Sequence, residues 1–473
     1  MRYSALMTDL YELTMLAGYF DEEMHDKPAV FDLFFRKAPF QGSYAVFAGL
    51  APALEYLEQL QFTGEDLDYL SSLGLFKPRF LEFLREFSFR GSVTAPPEGT
   101  VVFPTEPLLT VEGSLAEAQF VETALLNIIN FQTLVATKAA RLTTAAGPDS
   151  TVIEFGLRRA QGPDGGLSVA RAAAIGGVFG TSNVWGGQVH GIPVKGTHAH
   201  SWVMAFEEEL QAFRAYAECF PESCLLLVDT YDTLKSGMPN AITVARELRE
   251  RGHEILGVRL DSGDLAYLSR EARRMFDEAG FPEAKIVASN ELDEHVIHSI
   301  RDEDGRVDIY GVGTRLATCH GEGGGALGGV YKLVQFDGKP RMKTTSDISK
   351  ATLPDRKSVW RVLEKSGDFL LDLVTSDGEE PKPGDRVYDP ANPVRQKILP
   401  RDAQFESPRR QVMQDGNICV ELSTLEQARD RCMDQLQRLP AGSLRLTNPH
   451  IYKVSISHKL HQLRDSLAAR HEP

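Results

Sequence analysis

Seven times between Val152 and Thr314 an apolar run halts at polar, glycine or arginine residues, and this rhythm constrains the chain more than any other feature. The runs end at Phe155-Gly-Leu-Arg158, Gly180-Thr-Ser182-Asn, Lys195-Gly-Thr197, Val228-Asp229, Arg259-Leu-Asp261-Ser-Gly, Ala288-Ser-Asn290 and Gly311-Val-Gly313-Thr314. Short apolar runs separated by helical segments predict parallel strands joined by crossovers, their carboxyl ends converging on one site. The helices between them are legible. Asp264 to Ala279 places Leu265, Leu268, Ala272, Met275, Phe276 and Ala279 on one stripe and stops at Gly280. Pro239 opens and Gly252 closes the helix upstream. With seven strong units rather than eight, the expectation is an irregular parallel α/β barrel over residues 141–340.

The flanks read differently. Residues 1–140 combine a helix over Asp9–Phe20, a strand over Ala29–Arg36, a turn at Ala95-Pro-Pro-Glu-Gly99 and a long apolar-rich helix over Ala118–Leu142. They form the expected N-terminal α/β cap domain. Residues 341–473 carry short strand signals broken by Gly and Pro, then a helix near Thr424–Leu439, and make a smaller C-terminal domain. Lys343, Arg356 and Lys357 in this stretch read for the most part as solvated.

Charge narrows the function. With 51 basic and 66 acidic residues the net charge is −15, a long-range field that repels nucleic acid and anionic membranes while leaving room for small anions in a local basic pocket. The five cysteines have no disulfide or zinc spacing and read as reduced thiols. Met1 to Asp9 carries an early acid and no apolar stretch, so the expected location is cytoplasmic.

The chemistry centres on His198 and His200 in Gly196-Thr-His-Ala-His-Ser201. Histidines two apart at a strand end serve as metal ligands in some hydrolase barrels, as a structural pair, or as a nucleophile that accepts a phosphoryl group. Metal-hydrolase barrels bring further histidines on later strands, whereas His295 and His298 here fall within a helix. The phosphoryl reading finds hydroxyls at Thr197 and Ser201, a cation at Lys195, and Asp229, Asp232, Asp261 and Asp264 at neighbouring strand ends, enough to hold Mg²⁺ with its waters. Asp232 and Asp264 suit helix N-caps equally well. Gly311-Val-Gly313-Thr314 has the pattern of a phosphate cradle at a late strand, or of a tight turn. Arg158 and Arg159 after the first strand and Arg259 at the end of the fifth offer at least two guanidinium groups to a carboxylate or phosphate, Arg159 being alternatively a surface charge, and Phe155 with Tyr11 offers a stacking pair for a flat ring, or core.

Together these segments resemble the nicotinate phosphoribosyltransferases, type II phosphoribosyltransferases that begin NAD synthesis from nicotinic acid. The matching stretches are Thr8-Asp-Leu-Tyr11-Glu-Leu-Thr-Met, Phe155-Gly-Leu-Arg158-Arg-Ala-Gln-Gly, Gly196-Thr-His-Ala-His200-Ser, Val228-Asp-Thr-Tyr-Asp, Arg259-Leu-Asp261-Ser-Gly-Asp-Leu, Ser289-Asn-Glu-Leu-Asp and Tyr310-Gly-Val-Gly-Thr314. They span nearly the whole chain in the family's order. The resemblance implies attack of nicotinate on phosphoribosyl pyrophosphate, giving nicotinate mononucleotide and pyrophosphate, with Mg²⁺ and with ATP hydrolysed through a phosphohistidine at His200. It implies Tyr11 and Phe155 around the pyridine ring, Arg259 and Thr197 at its carboxylate, Arg158 on the phosphoribosyl part, Gly311, Gly313 and Thr314 on the 5-phosphate, and Asp229 and Asp261 at the reacting centre and the metal. It also implies a homodimer with shared active sites, Tyr11 coming from the second copy. Ser182 stands where the related nicotinamide enzyme carries an Asp, and a neutral hydroxyl there favours the acid. The competing expectations are quinolinate phosphoribosyltransferase, which lacks the His-Ala-His motif, and a catalytically silent nucleotide-binding relative, whose mark would be loss of His200, Arg259 or Asp261.

Overall fold

The computed structural model describes residues 3–343, 352–392 and 394–469. Two compact units emerge, one of residues 138–321 and one that joins residues 1–137 to 322–473.

Residues 138–321 form a six-stranded, all-parallel sheet with helices between the strands. In spatial order its strands are Gly180–Thr181, Thr151–Glu154, Ile309–Val312, Lys285–Ser289, Gly257–Leu260 and Leu225–Leu227. Six of the seven apolar runs therefore become ladder strands. The third makes only the bridge Thr181 to Val194, because Pro193 has no N–H to donate and Gly196 follows within three residues. The core behind the sheet packs Leu226, Val228, Val258, Leu260 and Ile286 against Met238, Val244 and Phe276. Each such fully buried side chain contributes roughly 1.5–3 kcal/mol relative to exposure. Helix entries follow local chemistry. Asp264 accepts the Tyr267 N–H at 3.0 Å and caps Leu265–Glu278, and Asp232 accepts from Leu234 and Lys235. Both aspartates are thus occupied as caps.

The other unit is built on two mainly antiparallel sheets, in which distant parts of the chain meet. Pro28–Phe35 pairs with Leu109–Ser114 on one side and Gly329–Phe336 on the other, while Arg410–Gln414 pairs with Ser92–Ala95. A second sheet is organised around the hairpin Lys357–Leu363 and Phe369–Ser376. The sequence reading separated residues 1–140 from 341–473; the contacts place nearly all of both in one unit, since strand partners hundreds of residues apart leave no mark in local periodicity. The long helix expected over Ala118–Leu142 is two, Leu115–Phe120 under a Ser114 capping box and Glu122–Ala146. Lys357 corrects its solvated reading, being buried and 2.7 Å from Asp32, and Arg356 pairs with Glu112 at 2.5 Å. Among the described residues no helix is long and apolar enough to cross a membrane.

Candidate active site

At the carboxyl ends of the parallel strands lies a cleft of about 390 Å³. Its walls include Phe155, Arg158, Ser182, Thr197, His200, Arg259, Asp261, Gly311, Gly313 and Thr314, so ten of the twelve residues singled out from the sequence surround one space. Asp229 stands behind this wall. Its Oδ2 accepts the Asp261 N–H at 2.9 Å and the Ser262 hydroxyl at 2.6 Å, while Oδ1 is buried with no hydrogen-bond partner. Tyr11 belongs to the other unit, on the helix Leu10–Asp21 with its ring 45% exposed.

The two histidines have opposite environments. His198 is 8% exposed; its Nε2 accepts the Leu227 N–H at 3.2 Å and its Nδ1 faces the Ala199 carbonyl at 3.4 Å. Burial first, with the Arg259 and His200 charges adding, pushes its pKa down to about 4, against a partial upward effect of the Ala199 bond. A neutral ring with Nδ1 protonated satisfies both bonds, and Nε2 is then unable to ligate a metal. Among the described residues no group of three or more His, Cys, Asp or Glu is placed to hold a metal ion. His200, by contrast, opens the short helix His200–Met204 with its side chain 39% exposed, Nδ1 3.2 Å from the Thr230 hydroxyl and Nε2 3.8 Å from Asp261 Oδ2.

Arg259 is anchored by one bond, Nη2 to the His198 carbonyl at 3.0 Å, and its Nε is buried without a partner. Burial holds its guanidinium below the ordinary arginine range, with Asp261 and Asp229 pulling the other way. Thr197 gives its one hydroxyl proton to the Leu225 carbonyl at 2.5 Å, so meeting an anion requires that bond to switch. Thr314 similarly donates to Glu291 at 3.2 Å, and Glu291 also pairs with Arg315. The glycines near the last strand have a packing reason. A Cβ on Gly311 would lie 2.5 Å from the Phe155 ring, so Gly311 lets that ring lie against the strand.

The structure adds residues to which no role had been given. Ser289, Asn290 and Glu291 also line the cleft; Ser289 donates to Asp261, and Asn290 and Glu291 adopt left-handed backbone conformations with φ of 87° and 33°. Arg159, for which the sequence leaves an anion-binding group or a surface charge open, lines it as well. Beneath it, Glu154 is buried and accepts from the Gly156 N–H and the Thr181 hydroxyl, tying the turn that carries Arg158 to the strand that carries Ser182. Burial raises its pKa, against those two bonds. A carboxylate inside the run Val-Ile-Glu-Phe was the sequence signal for it.

Guanidinium groups, carboxylates, an accessible imidazole and a flat ring at the carboxyl ends of parallel strands define an enzyme that acts on small anionic substrates. The nicotinate phosphoribosyltransferase (NAPRTase) family model matches residues 150–366, with the family's N-terminal domain at residues 6–130 and its C-terminal domain at residues 356–464. The chain belongs to the nicotinate phosphoribosyltransferase family. It is 44% identical to the Bacillus subtilis nicotinate phosphoribosyltransferase, over 96% of this chain and 93% of the relative, and 37% identical to the human one, over 99% and 97%. The crystal structure of human nicotinic acid phosphoribosyltransferase superposes with a TM-score of 0.87 at 35% identity, covering 97% of this chain and 99% of that one. A nicotinate-nucleotide pyrophosphorylase from Pyrococcus furiosus, at 24% identity and a TM-score of 0.72 over 92% of this chain and 95% of its own, shares the fold.

Proposed function

We propose that the protein joins nicotinate to phosphoribosyl pyrophosphate, releasing pyrophosphate and forming nicotinate mononucleotide, the first step of NAD synthesis from nicotinate, and that it couples this to ATP hydrolysis. The observation that carries the reading is the single strand-end cleft into which Phe155, Arg158, Ser182, Thr197, His200, Arg259, Asp261 and Thr314 converge. Arg259 meets the nicotinate carboxylate with its unpartnered Nε, Thr197 turns its hydroxyl from Leu225 to join it, and Phe155 stacks on the ring. Ser182 contributes a neutral group beside the ring. Arg158 binds the phosphoribosyl part, and Thr314 with the backbone of Gly311 and Gly313 binds its 5-phosphate. The ring nitrogen gives its electron pair to C1 while the C1–O bond to pyrophosphate breaks. The electron-poor ribosyl centre that develops is stabilised by Asp261, held in place by Asp229 and Ser289.

The unpartnered, buried Oδ1 of Asp229 and the nearby Asp261 carboxylate suit Mg²⁺, with substrate phosphates and waters completing its shell. When bound, the ion supplies charge neutralisation for the leaving pyrophosphate. In the ATP half-reaction, Asp261 holds a proton on Nε2 of His200, leaving Nδ1 beside Thr230 to attack the γ-phosphorus as ADP departs; water later cleaves the N–P bond. The phosphorylated ring places a dianion beside the cleft, which orders the site and helps retain Mg²⁺ and pyrophosphate.

The same proposal includes a homodimer in which Tyr11 of the partner subunit completes the ring stack, and cytoplasmic residence, in keeping with five unpaired cysteines. It also includes an irregular barrel around the cleft. The Thr181 to Val194 bridge adds a seventh parallel segment. Bonds from Thr197 to the Leu225 carbonyl and from the Leu227 N–H to His198 span the gap from there to the far edge strand. Side chains would replace a backbone ladder at that seam.

The test is mononucleotide formation from phosphoribosyl pyrophosphate and Mg²⁺ with nicotinate, nicotinamide or quinolinate, with and without ATP. Product from nicotinate, raised by ATP, is expected, and His200→Ala should lose the ATP stimulation. Full stimulation in that variant sinks the coupling, and absence of product from any base restores the silent-relative reading.

A further inference from the structure

In the unit formed by residues 1–137 and 322–473, a second cleft of about 810 Å³ is lined by Arg395, Lys397, Arg445, Lys453, His450 and a single carboxylate, Asp389. It sits on the antiparallel strands Arg386–Tyr388 and Gln396–Ile398 and on the segment entering Val454–Ser457. In a chain with 66 acidic and 51 basic residues, a cation has many potential partners, and arginines elsewhere commonly take them. These four do not. Among the described residues none of Arg395, Lys397, Arg445 and Lys453 has a side-chain ion pair or hydrogen bond within the chain. Asp389 is unavailable to them on one oxygen, since Oδ1 already accepts the Ala391 and Asn392 N–H groups at 2.8 and 3.2 Å.

With Asp389 set against the four cations, the cluster carries an excess of about three positive charges at neutral pH, set in a concave space rather than spread over a convex face. Lys397 sits half-buried, and burial and then the facing Lys453 ammonium hold its own ammonium below the ordinary lysine range, with Glu364 opposing. Like charges that outnumber the nearby carboxylates, Asp389 and Glu364, are stabilised by an anion that bridges them. The floor is suited to more than a bare phosphate: Pro104, Pro449 and Ile451 line the same space, and Ile451 is 78% exposed. Tyr452, stacked 3.6 Å from Phe103 with its hydroxyl on Asp372, makes that floor rigid.

We propose that this cleft is a second ligand site, separate from the strand-end cleft, for a small metabolite of nucleotide size bearing two or more phosphates. Lys397 and Lys453 grip the phosphate chain, Arg445 and Arg395 flank it, and the proline and isoleucine surface takes the apolar part. Its volume of about 810 Å³ lies in the range of small-molecule sites. Nothing in this assignment depends on the reaction proposed for the strand-end cleft.

The test uses the full-length protein with inorganic triphosphate and, separately, ADP as probes, titrated calorimetrically into wild type, Lys397→Ala/Lys453→Ala and Arg259→Ala. Wild type and Arg259→Ala are expected to share one binding event that is at least tenfold weaker in the double variant, while that variant keeps the wild-type thermal midpoint and mononucleotide-forming rate. Tighter binding of ADP than of triphosphate at this event would reveal the apolar contribution. Isotherms that coincide for wild type and double variant, or a binding event lost in Arg259→Ala instead, overturn the proposal. Failure of the mononucleotide assay in wild type, with the event intact, would touch only the catalytic reading.

Discussion

Arg361 is fully buried and Arg259 half-buried, and the two arginines are kept in opposite conditions. Arg361, in the antiparallel unit, has no exposed surface, forks onto Asp372 at 3.0 and 2.8 Å, donates to the Val101 carbonyl and Gln435, and lies 4.3 Å from the Phe369 ring centroid. Arg259, in the parallel unit, makes one bond and leaves Nε without a partner. Asp372 and Asp229 repeat the contrast, the first accepting from Arg361 and Tyr452 and the second keeping a buried oxygen unused. A buried charge with its partners supplied by the chain is scaffold; one left short is held for something the chain does not contain.

That contrast breaks or sharpens under substitution. Arg361→Ala strands the Asp372 carboxylate in the interior, and should cost about 3–5 kcal/mol in chemical denaturation. A loss under about 1 kcal/mol would mean that the satisfied network is dispensable. Arg259→Ala removes a charge-assisted contact of about 1.5–3 kcal/mol, so kcat/KM for nicotinate should fall roughly 10- to 150-fold with the thermal midpoint preserved. If the midpoint falls as far as in Arg361→Ala, Arg259 is scaffold too.

His198 tests the boundary between the two conditions, because its ring is buried and satisfied yet adjoins the cleft. Its folded pKa of about 4 lies below the ordinary 6.5, so the unfolded chain takes up the proton first as pH falls. Its contribution is fully present above pH 6.5 and declines through the window down to about 4, reaching about 2 kcal/mol lost at pH 5. Denaturation of wild type and His198→Gln across pH 8 to 5 should show the wild type losing that much more; parallel curves would mean the ring titrates as in water. The smallest effect is expected at Ser182. Ser182→Asp sets a carboxylate beside the nicotinate anion and should lower the nicotinate-to-nicotinamide preference about fivefold, on the order of 1 kcal/mol of repulsion. An unchanged ratio would remove Ser182 from the specificity argument.

Much of the parallel unit was legible because its information is local. Six of seven apolar runs became strands. Of the stripe from Leu265 to Ala279, the helix Leu265–Glu278 buries Ala272 and Phe276, with Leu265, Leu268, Met275 and Ala279 partly buried against the core and Ala266 and Ser269 buried beside them. The seventh run failed as a strand for an equally local reason, Pro193 and Gly196 so close together. Illegible was whatever depended on a distant partner. Glu154 carries no role in the sequence reading because Thr181, which binds it, meets it only in the fold, and Lys357 reads as solvated because Asp32 meets it across more than 300 residues. Asn290 and Glu291 carry no local signal for the left-handed backbone that places them in the cleft wall.

Taken alone, the sequence determined the strand rhythm, the helix stops, the acidic charge balance and the set of chemically capable residues at the strand ends, since these follow from side-chain type and short-range spacing. Tertiary structure alone decided which of two neighbouring histidines is inert, which aspartates are helix caps, and which of two arginines is left short of partners. Those outcomes depend on desolvation and on hydrogen-bond geometry between groups far apart in the chain, and neither quantity exists until the chain is folded.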